Sequence, residues 1–241
     1  MKVYIITGVS KGIGLELAKQ LIEAGHLVVG IARTECELNG MKFIQGDLSK
    51  TEKLESLMNE IIEAAPRHAG SFTLINNAGM VDPIGLIGSV SSEEMTKAIA
   101  VNLTAPMIMS NTFISKLKGF PGSKRIVNIS SGAGRNAYEG WGTYCASKAG
   151  LDHFSRVVAL EQLEATQPVE IVSIAPGIID TGMQEVIRSS NEAAFPLLER
   201  FIDYKEQGLL SSPKQTAHKL ISFIENEDFK EIGPIVDIRN F

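Results

Sequence analysis

Short apolar, β-branched runs alternate with amphipathic segments along almost the whole chain. Residues 3–6, 27–31, 43–44, 72–75, 125–129, 169–174 and 234–238 are apolar at successive positions, as expected of strands buried on both faces. Between them the period lengthens to that of a helix. In 12–24, Ile13, Leu17, Leu21 and Ala24 fall on one face, and Gly25 stops the run. In 49–65 the stripe is Leu54, Leu57, Met58, Ile61 and Ile62, with Ser49 as the expected N-cap. Ser91 or Ser92, followed by Glu93 and Glu94, opens a long helix towards Leu117, with a disturbance expected near Pro106. Residues 141–163 and 213–224 complete the helices.

This alternation predicts an α/β fold: a doubly wound (Rossmann) parallel sheet of about seven strands with helices on both faces. No repeat, low-complexity tract or linker marks a boundary, so 1–241 reads as a single domain. The segment 182–210 breaks the alternation with mixed helical patterning. Ligands of open α/β sheets bind beyond the carboxyl ends of the strands, which makes this segment the expected cover of a substrate.

Composition narrows the partners. A formal net charge of -5 argues against nucleic acid or an anionic membrane as partner. Cys36 and Cys145 lie far apart, and His26, His68, His153 and His218 are scattered without ligand spacing, so no metal is expected. The apolar run at 3–6 is too short for a signal peptide, and no apolar stretch approaches the roughly 20 residues of a membrane span. A reduced, cytoplasmic protein is the expectation.

The first strand runs into Thr7-Gly8-Val9-Ser10-Lys11-Gly12-Ile13-Gly14 and then a helix. Glycines at such a turn let the backbone approach a pyrophosphate, whose charge is favoured at the helix N-terminus. Gly8, Ser10, Lys11, Gly12, Ile13 and Gly14 are therefore candidate cofactor residues. The second strand ends Ala32-Arg33, with no acid to accept a ribose 2′-hydroxyl. Arg33 and Lys11 instead offer two cations to a 2′-phosphate, which selects NADP(H) over NAD(H); Glu35 is a competitor for Arg33.

Tyr144 and Lys148 stand four residues apart in a helical segment and so share a face. A cation beside a phenol favours its ionised form, and a phenol so tuned exchanges a proton with a carbonyl oxygen. Ser130 and Ser131 both follow the fifth strand, where a hydroxyl can bind a substrate oxygen or simply cap a turn. Asn102 sits within a helix, where asparagine has mediocre propensity; an exposed helix position is the plain alternative.

Together, Thr7–Gly14, Asn76-Asn77-Ala78-Gly79, Asn102, Ser131, Tyr144-x-x-x-Lys148 and Pro176-Gly177 resemble the short-chain dehydrogenase/reductase family over nearly the whole chain and in the family's order. The resemblance implies a catalytic set of Asn102, Ser131, Tyr144 and Lys148, with Asn102 serving a proton relay. It further implies that Asp47, with Leu48, meets adenine, and that Asn77, Ala78 and Gly79 lie near the adenine ribose. Tyr144 and Lys148 are placed at the nicotinamide ribose, Pro176, Gly177 and Ile179 at the nicotinamide carboxamide, and Thr181 near the amide or the pyrophosphate. Homodimers or homotetramers built through the helices of Asn102 and Tyr144 are usual in the family.

Within the family, 128–145, Asp180-Thr181-Gly182-Met183-Gln184 and the C-terminal 225–229 with Val236-Asp237 most resemble benzil reductases and sepiapterin reductases. The expected function is NADPH-dependent reduction of a small-molecule vicinal diketone, with sepiapterin reduction as the alternative and a noncatalytic NADP(H)-binding regulator as a third reading. Asp237 matches the pterin-anchoring position of the sepiapterin enzymes, and Trp141, Met183, Phe195 and Phe201 are candidates for an aryl-ketone pocket beside Ser131 and Tyr144.

Overall fold

In the computed structural model, which describes residues 1–66 and 69–241, strands β1 (Lys2–Thr7), β2 (Leu27–Ala32), β3 (Met41–Gln45), β4 (Ser71–Asn76), β5 (Ser123–Ile129), β6 (Glu170–Ala175) and β7 (Ile235–Asp237) pair in parallel in the order β3-β2-β1-β4-β5-β6-β7. His68 lies outside the described residues. The order reverses between β1 and β4, which opens a crevice beyond their carboxyl ends.

Alternate strand residues serve opposite faces, because a strand's side chains have a period of two. Tyr4, Ile6, Val28, Val127 and Ile174 join one core with Leu17 and Leu21 of α1 (Gly12–Glu23) and Leu220 and Phe223 of α8 (Pro213–Asn226). Val3, Ile5, Val29, Leu74 and Ile126 join the other with Leu54, Met58 and Ile61 of α2 (Leu54–Glu63), Met109 and Phe113 of α4 (Ala105–Lys116) and Val158 of α5 (Gly142–Gln162). The result is a single Rossmann-like domain with helices on both faces, as the sequence pattern predicts. The remaining helices are α3 (Ser92–Ile99), α6 (Gly182–Arg188), α7 (Leu198–Glu206) and α9 (Phe229–Ile232).

Three expectations are refined. Ser49 caps no helix: its N–H and hydroxyl both donate to Asp47 Oδ1, at 3.0 and 2.8 Å, and a 3-10 turn begins only at Thr51. A local aspartate turn outcompetes the cap. Of the two candidate serines before α3, Ser91 is the cap and accepts the Glu94 N–H at 3.5 Å.

The disturbance near Pro106 is a π-helical turn over Ala100–Thr104. Pro106 has no N–H to give the carbonyl four residues earlier, that of Asn102. Joined through this turn, Ser92–Lys116 is a 25-residue helical stretch that is long and apolar enough to cross a membrane by length and composition alone. Packing accounts for its apolar content, since Ala105, Met109 and Phe113 are fully buried in the second core.

Candidate functional site

The glycine turn is held in shape from the neighbouring strand end. Gly8 has φ 77°, a left-handed conformation that glycine adopts without strain. A Cβ on Gly14 would fall 2.2 Å from the Gly8 carbonyl oxygen, so only glycine lets α1 start this close to the turn. The Asn77 amide donates to the carbonyls of Thr7 and Gly8 at 2.9 and 3.2 Å, and the N–H groups of Asn77 and Ala78 both reach Thr7 Oγ1 at 3.0 Å. Asn77 thus pins the turn to the end of β4.

Above the turn lies a cavity of about 870 Å³ at the carboxyl ends of the strands. Gly8, Ser10, Lys11, Gly12 and Ile13 line one part, and Arg33, Asp47 and Leu48 line the end beyond β2 and β3. Asn77, Ala78 and Gly79 also line it, as do Pro176, Gly177, Ile179 and Thr181. Gly14 lies behind the turn and does not line the cavity.

Among the described residues, neither Arg33 nor Lys11 has an ion-pair partner, so Glu35 does not draw Arg33 away. Burial raises the Asp47 pKa, but hydrogen bonds from Ser49 and the charges of Arg33 and Lys50 outweigh it, leaving a net lowering. A glycine cradle that a Cβ would fill fits the pyrophosphate of a nicotinamide dinucleotide.

At the other end α5 begins after Trp141 and brings Tyr144 and Lys148 to the wall, 6% and 4% exposed. Lys148 Nζ donates to the Ile129 carbonyl at 2.8 Å and lies 5.7 Å from the centre of the Tyr144 ring. Burial pushes its pKa down to about 8, with Asp152 opposing the shift. Burial also pushes Tyr144 up to about 12, against the Ser131 hydroxyl, which favours the ionised phenol. The net shift of the phenol is therefore upward: loss of water around it dominates, and the Lys148 ammonium is turned to a carbonyl.

Ser131 lines the cavity and accepts the Ala133 N–H at 3.2 Å; it is the serine beside the Tyr144 phenol. Ser130 also borders the cavity, but its hydroxyl is buried and has no hydrogen-bond partner among the described residues. Asn102 is not an exposed helix residue: it is 0% exposed, although it does not line the cavity. Its Oδ1 accepts the Met80 N–H at 2.9 Å, and its Nδ2 donates to the Met80 carbonyl at 2.8 Å and to Ser147 Oγ at 3.3 Å. Ser147 donates onward to the Tyr144 carbonyl at 2.8 Å. A Cβ on Gly79 would fall 3.4 Å from Asn102 Oδ1 and 3.7 Å from Lys148 Nζ, so Gly79 lies within ordinary contact of both groups.

Aromatic side chains form the adjoining wall. Trp141 stacks on Phe195 at 4.9 Å and meets Phe201 at 5.1 Å and the edge of Tyr144 at 5.5 Å. Trp141, Met183 and Phe201 line the cavity, whereas Phe195 is fully buried behind Trp141 and supports it. Asp237 also lines the cavity, with its carboxylate clamped by Arg239 at 2.8 and 2.6 Å.

Two buried polar groupings are not apparent from the sequence pattern. Asn76 donates to Asn128 at 2.8 Å and Asn128 to Ser155 at 2.9 Å, tying β4, β5 and α5 together below the site. Asp152 is buried beneath Lys148. Asparagines inside apolar strands, and an acid continuing the Tyr144–Lys148 face, are the signals that point to them.

A family model described as short chain dehydrogenase matches residues 2–192. The benzil reductase ((S)-benzoin forming) of Bacillus subtilis (strain 168) is 42% identical over 245 residues, covering 100% of both chains. The sepiapterin reductase of Xenopus laevis is 29% identical over 246 residues, covering 94% of this chain and 91% of that one. The crystal structure of the KRED1-Pglu enzyme superposes with a TM-score of 0.84 at 27% identity, covering 98% of this chain and 100% of that one.

Proposed function

The chain belongs to the short-chain dehydrogenase family of nicotinamide-dependent oxidoreductases, and on that premise we propose that it is an NADPH-dependent carbonyl reductase of vicinal diketones, of the kind that turns benzil into benzoin. The observation that carries this reading is a neutral, buried phenol beside a buried ammonium at the aromatic end of a dinucleotide-sized cavity.

Bound NADPH supplies a hydride to the carbonyl carbon. Gly8, Ser10, Gly12 and Ile13 would cradle the pyrophosphate and Thr181 would close over it, while Arg33 and Lys11 would take the 2′-phosphate. Asp47 and Leu48 would border the adenine, and Pro176, Gly177 and Ile179 the carboxamide. Tyr144 holds its proton throughout ordinary pH and delivers it to the carbonyl oxygen. Ser131 donates to the same oxygen and stabilises the charge that develops there. Lys148 holds the nicotinamide ribose and places positive charge near the phenol; Asn102 fixes the Met80 loop and the start of α5 beneath both.

Trp141, Met183 and Phe201 offer an apolar wall to an aryl group, and 182–210, carrying α6 and α7, covers it. Exposed Met107, Val157, Leu160 and Leu163 on α4 and at the end of α5 support a homodimer or homotetramer. The free thiols of Cys36 and Cys145 support a cytoplasmic setting.

Sepiapterin reduction is the second reading, favoured by Asp237 at the cavity wall. Arg239 already occupies both carboxylate oxygens, which disfavours capture of a pterin amino group. Parallel kinetics with benzil and sepiapterin, each with NADPH and NADH, test the assignment: a higher kcat/KM for benzil with NADPH supports it, and preferential turnover of sepiapterin replaces it.

A further inference from the structure

Asp152 lies on α5 one turn beyond Lys148, as Lys148 lies one turn beyond Tyr144, so the three share a face. It is 1% exposed and does not line the cavity. The Ser173 hydroxyl on β6 donates to Oδ1 at 2.6 Å, and Arg135 Nε donates to Oδ2 at 3.2 Å. Both oxygens act as acceptors, the pattern of a carboxylate. Arg135 also donates to the Val236 carbonyl on β7 at 2.9 Å, so the group is anchored from two strands. A Cβ on Gly134 would fall 3.0 Å from Asp152 Oδ2 and 2.9 Å from the Lys148 backbone; a glycine there lets the loop close over both residues.

Lys148 has the complementary need. Its ammonium is buried, and its one hydrogen bond among the described residues goes to a neutral carbonyl. A buried charge is costly unless another charge answers it. The other charged or titratable groups around the pair are Tyr144 and Cys145 on α5, Lys97 on α3, Arg135 after β5 and Asp237 at the end of β7. None of these offsets the burial of Lys148, whereas Asp152 does.

We propose that Asp152 is a positioning residue for the reaction: the buried counter-charge that keeps the Lys148 ammonium charged and in place without touching substrate or cofactor. The inference rests on the part assigned to Lys148 above, but not on which ketone is reduced.

The test is an NMR titration of the Lys148 side chain in the full-length protein, its signal identified by loss in Lys148→Arg. Asp152→Asn should move the midpoint down by about one pH unit, and the alkaline limb of the reduction profile should move with it. Arg135→Met, which removes the competing cation, should move the midpoint up. A midpoint unchanged in Asp152→Asn overturns the proposal. Should that variant fail to fold, Arg135→Met decides alone: a rise sustains the proposal, and no change or a fall overturns it. Because the titration reads the pair directly, its outcome stands even where a ketone assay fails.

Discussion

Lys148 Nζ stands 5.7 Å from the centre of the Tyr144 ring and directs its 2.8 Å hydrogen bond to the Ile129 carbonyl rather than to the phenol. The two groups share a buried environment without a hydrogen bond between them. Burial moves their pKa values in opposite directions, the phenol up to about 12 and the ammonium down to about 8, because each charged form loses its water.

The first consequence is a pH profile with one informative limb. Lys148 is a base whose folded pKa is depressed, so its charge is present below about 8 and lost as pH rises through that value. Tyr144 keeps its proton over the same range. The kcat for ketone reduction should therefore fall above pH of about 8, by up to tenfold per unit. Steady-state rates at saturating NADPH check this, and a profile flat to about pH 10 contradicts it.

In the proposed reading, cofactor choice turns on Arg33. It has no ion-pair partner among the described residues and lines the cavity end beyond β2, where a 2′-phosphate would be met. Arg33→Ala should weaken NADPH binding by roughly ten- to a hundredfold while leaving NADH within about twofold. Fluorescence titration of both cofactors reads the difference, and equal losses refute the assignment.

Asn102 carries a stability prediction as well. Asn102→Ala removes both hydrogen bonds to the Met80 backbone in a site closed to water. The cost should be about 2–4 kcal/mol, because a buried N–H and C=O lose their partners. Urea unfolding measures it; a loss below about 0.5 kcal/mol, typical of an exposed surface position, would show that the bonds are dispensable.

The sheet is legible in the sequence because its strands are apolar on both faces and its helices keep one clean stripe. Gly8 and the Tyr144–Lys148 spacing are legible for a similar reason: each is a local pattern with a local cause. What the sequence hides depends on three-dimensional encounters. The Ser49 side chain turns to Asp47 instead of a helix end, and Asn102, beside the π turn's missing proline N–H, is buried rather than exposed. Gly14 supports the turn from behind, Phe195 supports Trp141 from behind, and Arg239 takes up the carboxylate of Asp237. The tyrosine pKa moves up because burial, which a sequence does not display, outweighs the hydrogen bond with Ser131.

The central claim is that the Tyr144 phenol donates the proton in ketone reduction. NADPH consumption with benzil, compared between the wild-type chain and Tyr144→Phe, tests it most directly, with NADPH affinity measured alongside. The account predicts benzoin formed in step with NADPH consumed by the wild type, a loss of at least about a hundredfold in kcat for the variant, and NADPH binding within about twofold. Turnover by the variant at the wild-type rate would contradict it.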